Sequence, residues 1–459
     1  MKKCIVASMA ILFAGVSCSA PKNNTTEDEV RLITLDPGHF HAALVQKKSY
    51  PQVSNDVYVY APKGDDVKEH LKKIDAFNTR QDNPTTWNEI VYTGTDFLEK
   101  MLEEKRGNVM ITAGNNGKKT EYIKKTLEAG IHVLADKPMA INTETFELLK
   151  ECFKIAEEKG ILLYDIMTER YEITTILQRE LSLLPNVYGT QLTGSLEDPA
   201  IVKESVHHFY KVVAGTPLKR PVWYLDVEQQ GEGIVDVSTH LVDMIQWEAF
   251  PGVAIDYTKD IEILDANRWA TPMSPEQFKQ VTGVDQYPDY LMKYVTNDTL
   301  QVYANGDFVY KLKGVHAKVS VIWNYTFPEG GGDTHFSVMK GSKANLVIRQ
   351  DAEHNFKPEL FIETAEGVDL KAYEANLENE MKAIAQKYPG IGLKKIKDGV
   401  WQLVIGNEYR VGHEAHFAQV TENFLESLKK GALPEWEVPN MIAKYYTTTK
   451  ALEVAKSKN

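Results

Sequence analysis

Several short stretches of this 459-residue chain carry side chains whose types and spacing could do chemistry. Asp136-Lys137-Pro138 directly follows the apolar run IHVLA. An ammonium at the carboxyl end of a buried strand stands where open α/β sheets bind their ligands, although a lysine just past a strand is ordinarily a solvated charge. Asp236, His240 and Asp243 fall at i, i+4 and i+7, and share one face if the run after Ile234 is helical. A carboxylate one turn from an imidazole can orient it and stabilise its protonated form, as acid–base chemistry requires; a polar helix face with a satisfied histidine gives the same pattern. His39 and His41 alternate, as imidazoles sharing an ion can, but no Cys or carboxylate set at metal spacing accompanies them, so no metal is expected there or at His207-His208. Trp223, Tyr224 and Asp226 suit carbohydrate, an aromatic plane covering the apolar face of a pyranose while a carboxylate accepts its hydroxyls. Sheet-packing aromatics would read the same way. His207, His208 and Tyr210 suit the same sugar-facing role.

The elements that must position these groups begin with VMITA, a short apolar run followed by the turn residues Gly114 to Gly117. Ile123, Leu127 and Ala129 then recur at helical spacing until Gly130 stops the helix, and IHVLA is a second strand. Two strands joined by such a crossover form a parallel βαβ unit. RLITL, DVYVYA and ILLYDI extend the pattern, with a helix over TETFELLKECFKIAEEKG that Thr143 and Glu147 can cap and Gly160 ends. Residues 31–168 therefore read as a Rossmann-like doubly wound parallel sheet. Residues 169–459 read as an α+β domain with an open, largely antiparallel sheet. Asn305-Gly306 predicts a two-residue hairpin turn, and helices over Tyr373 to Gln386, His416 to Lys430 and Asn440 to Ser457 are expected to cover one sheet face.

A formal charge of -12 with no basic run argues against nucleic acid as a partner. Lys2 and Lys3 precede IVASMAILFAGV, too short for a stable membrane span, so residues 1–17 read as a signal peptide. Val16-Ser17-Cys18 resembles a lipobox, with Gly15 where leucine is usual, and the polar stretch 18–30 suits a tether. The expectation is a periplasm-facing lipoprotein acylated at Cys18, or a secreted protein if cleavage falls near Ala20. Cys4, Cys18 and Cys152 leave no disulfide framework, and Cys152 among Leu148, Leu149, Phe153 and Ile155 reads as core.

Two of these stretches together resemble the glucose-fructose oxidoreductase / inositol dehydrogenase (Gfo/Idh/MocA) family. The family's run ATPN, helix, AxxALxAGKHVxxEKPxA lies without a gap over Ala113 to Ala140, matching Asn116, Ala129-Gly130 and Asp136-Lys137-Pro138. Its later GGGxxxDxGxHxxD lies over Gly231 to Asp243, and weaker likeness includes Arg170-Tyr171 and a histidine- and phenylalanine-containing helix near the C-terminus. The resemblance implies a nicotinamide dinucleotide, NAD or NADP, held by Gly38, His39, Phe40, Ala113, Gly114, Asn115, Asn116, Asp136 and Lys137. It implies His240 as base, Asp236 as substrate ligand and imidazole positioner, and Lys137 polarising the reacting oxygen. A lysine and a histidine sharing a site would lower each other's pKa. Arg170, His208, Trp223, Tyr224, Asp226 and Asp236 form the expected sugar face, with a homo-oligomer formed through the antiparallel sheet.

The first turn departs from the family. LDPGHFHAALV offers Gly38 alone where G-x-G-x-x-G normally lets backbone approach a pyrophosphate, and Asp36 adds negative charge. The second strand ends in Tyr60-Ala61-Pro62-Lys63, without the usual ribose-binding acid. Outside the cytoplasm free cofactor would be scarce, so retention at nanomolar levels requires a dissociation constant near ~1 nM, about -12 kcal/mol. The expected activity is a sugar or glycoside dehydrogenase acting on a secondary hydroxyl, with C3 in view. The alternatives are a redox-neutral glycosidase working by oxidation and elimination, and a sugar-binding lipoprotein that has lost the cofactor.

Overall fold

The computed structural model describes residues 29–213 and 216–458; the expected leader, Cys18 and the tether through residue 28 lie outside the described residues. Strands β1 (Leu32–Leu35), β2 (Asp56–Ala61), β3 (Asn88–Thr93), β4 (Val109–Thr112), β5 (His132–Asp136) and β6 (Leu163–Ile166) form a parallel sheet ordered β3-β2-β1-β4-β5-β6. β1, β4 and β6 are buried along their whole length because helices cover both faces, which is why they read as largely apolar runs without alternation. Helices α1 (His41–Leu44), α2 (Asp65–Thr79), α3 (Phe97–Glu104), α4 (Asn116–Glu128) and α5 (Thr143–Lys159) connect them. α5 is capped one residue earlier than expected: Asn142 Oδ1 accepts from the Thr145 amide at 2.8 Å and Thr145 Oγ1 accepts from the Asn142 amide at 3.1 Å.

After α6 (Ile173–Ser182), β7 (Ile201–His208) and α7 (Ser238–Ala249), the chain builds most of a second sheet. Its strands are β8 (Ile261–Met273), β9 (Thr299–Leu312), β10 (Val315–Asn324), β11 (Thr334–Lys340), β12 (Ala344–Gln350), β13 (Glu359–Thr364), β14 (Gly392–Lys397) and β15 (Val400–Val404). They order as β8-β9-β10-β7-β11-β12-β13-β15-β14, with one parallel pair, β7 against β10, at the centre of an otherwise antiparallel sheet. The expected turn at Asn305-Gly306 is not there: β9 runs straight through it and turns at Lys313-Gly314, where both φ angles are positive (50° and 85°). Asn305 is buried, donating to Thr271 Oγ1 at 2.8 Å and accepting from the Trp323 amide at 2.7 Å. A Cβ on Gly306 would lie 2.3 Å from Ile234 Cγ1, so this glycine serves close packing rather than a turn.

Three C-terminal helices follow the prediction closely in extent: α8 (Leu370–Lys387), α9 (His413–Lys430) and α10 (Glu437–Ser457). Their packing corrects the expected division. α8 covers the second sheet through Tyr373, Leu377 and Met381, but Phe417, Val420 and Phe424 of α9 enter the core of the first domain. α10 belongs to both cores, giving Met441 and Tyr445 to the first and Ala443, Ala451 and Leu452 to the second. The chain thus returns to clamp its two sheets together. Cys152 is buried, as expected of a core residue.

Candidate active site

A cavity of about 350 Å³ lies where the two domains meet. The first domain contributes His39, Phe40 and His41 after β1, Gly114 and Asn116 after β4, and Asp136 and Lys137 at the end of β5; Glu169 follows β6 at the domain boundary. The second contributes His207, Lys211, Arg220, Tyr224, Gln230, Asp236, His240, Trp323 and Asp333, and α9 adds His413. The carboxyl ends of β1, β4 and β5 therefore face a ligand space, as in other doubly wound sheets.

Lys137 Nζ donates to Asp236 Oδ1 at 2.7 Å, joining the domains. Gln230 Nε2 donates to the other oxygen, Oδ2, at 3.1 Å, and Asn116 Nδ2 donates to the Gln230 carbonyl at 2.8 Å. Beneath them the buried Lys119 donates to Asn116 Oδ1 and, at 2.8 Å, to the Asp136 carbonyl. Burial opposes charge on Lys137, but the Asp236 and Asp136 carboxylates outweigh it and raise its pKa. Burial likewise opposes charge on Asp236, and the Lys137 ammonium outweighs it, so that carboxyl is lowered. The pair is ionised at neutral pH.

His240 is neutral, pushed down to about 3 by burial and by the charge of Lys137, with Glu169 partly opposing. Its Nδ1 is buried without a hydrogen-bond partner. Mutual lowering was expected of Lys137 and His240; only the histidine moves that way, because Asp236 compensates the lysine. Nor does Asp236 hydrogen-bond His240. It sits in the turn before α7 begins at Ser238, and its oxygens are taken by Lys137 and Gln230.

The other expected site residues divide. Asp243 faces away from the cavity and binds Arg170, accepting from its Nε at 2.6 Å and Nη2 at 2.7 Å. Arg170 also meets Glu437 at 2.9 Å, and Lys444 bridges Asp243 (2.8 Å) and Asp165 (2.7 Å). Arg170 is therefore part of a closed interdomain network rather than the sugar face. Asp226 is also removed from that face: buried, it caps its own loop by accepting from the Glu228 amide at 3.0 Å and Gln229 Nε2 at 2.9 Å. His208 is turned onto Asp333 at 2.9 Å while its neighbour His207 lines the cavity. Tyr224 lines it too, but Trp223 reaches the first domain instead, donating from Nε1 to Asp66 Oδ2 at 3.1 Å.

Of the expected cofactor ligands, His39, Phe40, Gly114, Asn116, Asp136 and Lys137 face the cavity. Ala113 is fully buried, and Asn115 Nδ2 is committed to Gln229 Oε1 at 2.8 Å. Gly38 is covered: a Cβ there would lie 3.1 Å from the Trp223 ring and 3.4 Å from Gly114 Cα. Burial raises the pKa of both Asp36 and Asp66 beside it. His207, expected on the sugar-facing side, lines the cavity, whereas Glu169, Lys211, Arg220, Asp333 and His413 were not foreseen as cavity residues. Only Glu169 had a signal within reach, its place immediately before Arg170-Tyr171.

A two-domain fold with a strand-end lysine paired across the domain boundary and a neutral histidine beside it defines a Rossmann-type oxidoreductase. Residues 177–456, more than half of the chain, match the family model described as "Putative oxidoreductase C terminal domain", and residues 61–165 match "Oxidoreductase family, NAD-binding Rossmann fold". A crystal structure of a "putative oxidoreductase" from Parabacteroides merdae is 73% identical, with a TM-score of 0.93, covering 94% of this chain and 98% of that one. The chain belongs to the Gfo/Idh/MocA family of NAD(P)-dependent oxidoreductases. An uncharacterized oxidoreductase of Schizosaccharomyces pombe is 26% identical over 195 residues, 42% of this chain and 46% of that protein, so the match spans less than half of that relative. The fold is shared with levoglucosan dehydrogenase, solved with NADH and L-sorbose, at 11% identity and a TM-score of 0.61, covering 94% of this chain and 98% of that one. It is also shared with KijD10, a 3-ketoreductase from Actinomadura kijaniata solved with NADP, at 13% identity and a TM-score of 0.55, over 91% and 96% of the two chains.

The residues around Lys137 fit the reactive end of a nicotinamide cofactor. The buried, unpartnered Nδ1 of His240 is a polar atom that a molecule bound in the cavity can satisfy. Gly114, Asn116 and Lys137 would hold that end. At the first turn, the Trp223 ring over Gly38 narrows the approach a pyrophosphate would take.

Proposed function

We propose that the cavity oxidises a secondary hydroxyl of a sugar or glycoside, at C3 in the favoured case, with a nicotinamide cofactor retained between turnovers. The observation that carries this reading is the Lys137–Asp236 ion pair beside the neutral, unpartnered His240. The cofactor, when bound, supplies the hydride acceptor. Lys137 donates a hydrogen bond to the reacting oxygen and stabilises negative charge as it develops, while Asp236 and Gln230 fix the ammonium. His240 accepts the hydroxyl proton; its neutral imidazole is already the base form at neutral pH. Tyr224 and Trp323 offer aromatic surface to the sugar, and Asp333 with His207 and Lys211 offers hydroxyl partners. Levoglucosan dehydrogenase, solved with NADH and L-sorbose, and KijD10, a 3-ketoreductase solved with NADP, share the fold, and both support a carbohydrate or its keto form as the substrate class.

The test is a panel of glycosides carrying deuterium at single carbons, incubated with purified protein and NAD or NADP. Label from one carbon should appear in the reduced nicotinamide, with a primary isotope effect for that substrate alone. No label transfer from any carbon would contradict the reading. The Asp333–His207 pair gives the cavity a second potential proton acceptor and favours the redox-neutral elimination as a second reading. Aglycone release without net reduced cofactor would identify it. The periplasmic lipoprotein reading rests on residues 1–20, and globomycin-sensitive processing that fails in Cys18→Ala would support it.

A further inference from the structure

The sequence around His39 and His41 argues against a metal because no Cys or carboxylate set at metal spacing accompanies them. The fold supplies a carboxylate from 95 residues away: Asp136, at the end of β5, places Oδ2 3.0 Å from His41 Nδ1 and 3.7 Å from His39 Nδ1. We propose that His39, His41 and Asp136 form a three-ligand site for a divalent transition-metal ion of the Zn²⁺ type, with its open coordination position facing the cavity.

One ligand atom from each residue lies within 4.8 Å of the other two. A tetrahedral zinc site with bonds of ~2.0–2.1 Å separates its ligand atoms by about 3.3 Å. The two imidazole–carboxylate distances bracket that value, and the imidazole–imidazole separation lies within 4.8 Å. His39 Nδ1 is buried and has no hydrogen-bond partner, which a metal bond would remedy. Surrounding groups hold the ligands in place, as outer partners do in metal centres. Phe40 and Phe417 pack against the His41 ring with centroids 4.6 Å away, and Lys119 binds the Asp136 carbonyl at 2.8 Å. The nearby lysines do not compete for the carboxylate oxygens: Lys137 is paired with Asp236, and Lys119 donates to Asn116 and to the carbonyls of Asp136 and Pro138. Two imidazoles, one carboxylate and an open position make the donor set of a reactive rather than a closed structural site, with an oxygen of water or of a substrate hydroxyl as the remaining ligand.

The test uses the full chain without a histidine tag, stripped with chelator and titrated with Co²⁺ and with Zn²⁺ against a chromophoric competitor. About one equivalent of Co²⁺ should bind with visible d–d absorption and be displaced by Zn²⁺. His39→Ala should weaken Zn²⁺ binding at least 100-fold, whereas His39→Cys, which preserves a ligand, should retain it with a sulfur-to-cobalt charge-transfer band. Absence of saturable binding in the parent protein, or binding by His39→Ala equal to the parent's, would overturn the proposal. A folded His39→Cys that binds without the charge-transfer band would overturn it equally. Metal content is read directly, so the result stands apart from whether a nicotinamide or a sugar binds.

Discussion

Asp236 and Asp243 are seven residues apart in one segment, and the spacing puts them on a common helix face, yet they end in opposite surroundings. Asp236 stops short of α7, lines the cavity and holds Lys137, whose side chain retains 11% exposure. Asp243 lies within α7 at 2% exposure and is enclosed by Arg170 and Lys444, with Glu437 and Asp165 completing the set. Both are carboxylates kept ionised by a neighbouring cation despite burial. The difference lies in what surrounds the pair. An ion pair open to a cavity can exchange a partner for substrate, whereas one closed on every side joins three parts of the chain and exchanges nothing. The first is built to react and the second to hold the domains in register.

Substitutions should separate the two. Lys137→Ala and His240→Ala should each lower kcat by roughly 10²–10⁴-fold, the range for losing a positioned charge donor or a general base. Turnover unchanged in both would remove the catalytic assignment. Arg170→Ala should instead destabilise the protein by about 3–5 kcal/mol in chemical denaturation, because Asp243 and Glu437 are left buried with less compensation. What remains folded should keep a nearly parental KM. A large change in KM with unaltered stability would return Arg170 to the sugar face.

pH distinguishes the same two regions. Burial raises Asp243, but Arg170 and Lys444 outweigh it and hold its folded pKa below the ordinary 3.8. Its contribution to stability is therefore complete above that ordinary value and is lost as pH falls through the folded one. Asp243→Asn should flatten this acid limb while lowering stability at neutral pH. His240, held near 3, should leave kcat without a break at the ordinary histidine value of 6.5. An acid limb centred near 6.5 that disappears in His240→Gln would keep His240 as the base but contradict its depressed pKa. The smallest effect is expected from Gln230→Ala, which removes one hydrogen bond to Asp236 and should reduce kcat/KM about tenfold, equivalent to roughly 1.4 kcal/mol.

Much of the fold was legible because local pattern and burial coincide in the first domain. β1, β4 and β6 are largely apolar and buried throughout, and Gly130 and Gly160 end their helices with positive φ as stop signals should. Asn305-Gly306 was misread because a glycine required by the approach of Ile234 has the same local signature as a hairpin turn. The C-terminal helices were found but assigned to one sheet, since an apolar stripe records that a face is buried and not which core buries it. Lys137 was legible from its place after a strand. The partners that give the site its character were not: Gln230 on Asp236, Glu169 beside His413, and Asp136 beside His39 and His41 are brought together from distant segments. Spacing along a helix also could not reveal that α7 begins two residues after Asp236.

The central claim is that Lys137 and His240 face a nicotinamide. Its most direct measurement is quantitation of NAD(H) and NADP(H) released on denaturing the purified full chain, followed by titration of the stripped protein with NADH and NADPH monitored by nicotinamide fluorescence. The account predicts about one equivalent released or rebound, with binding weakened in Lys137→Ala. No released nicotinamide and no saturable binding of either reduced cofactor would contradict it.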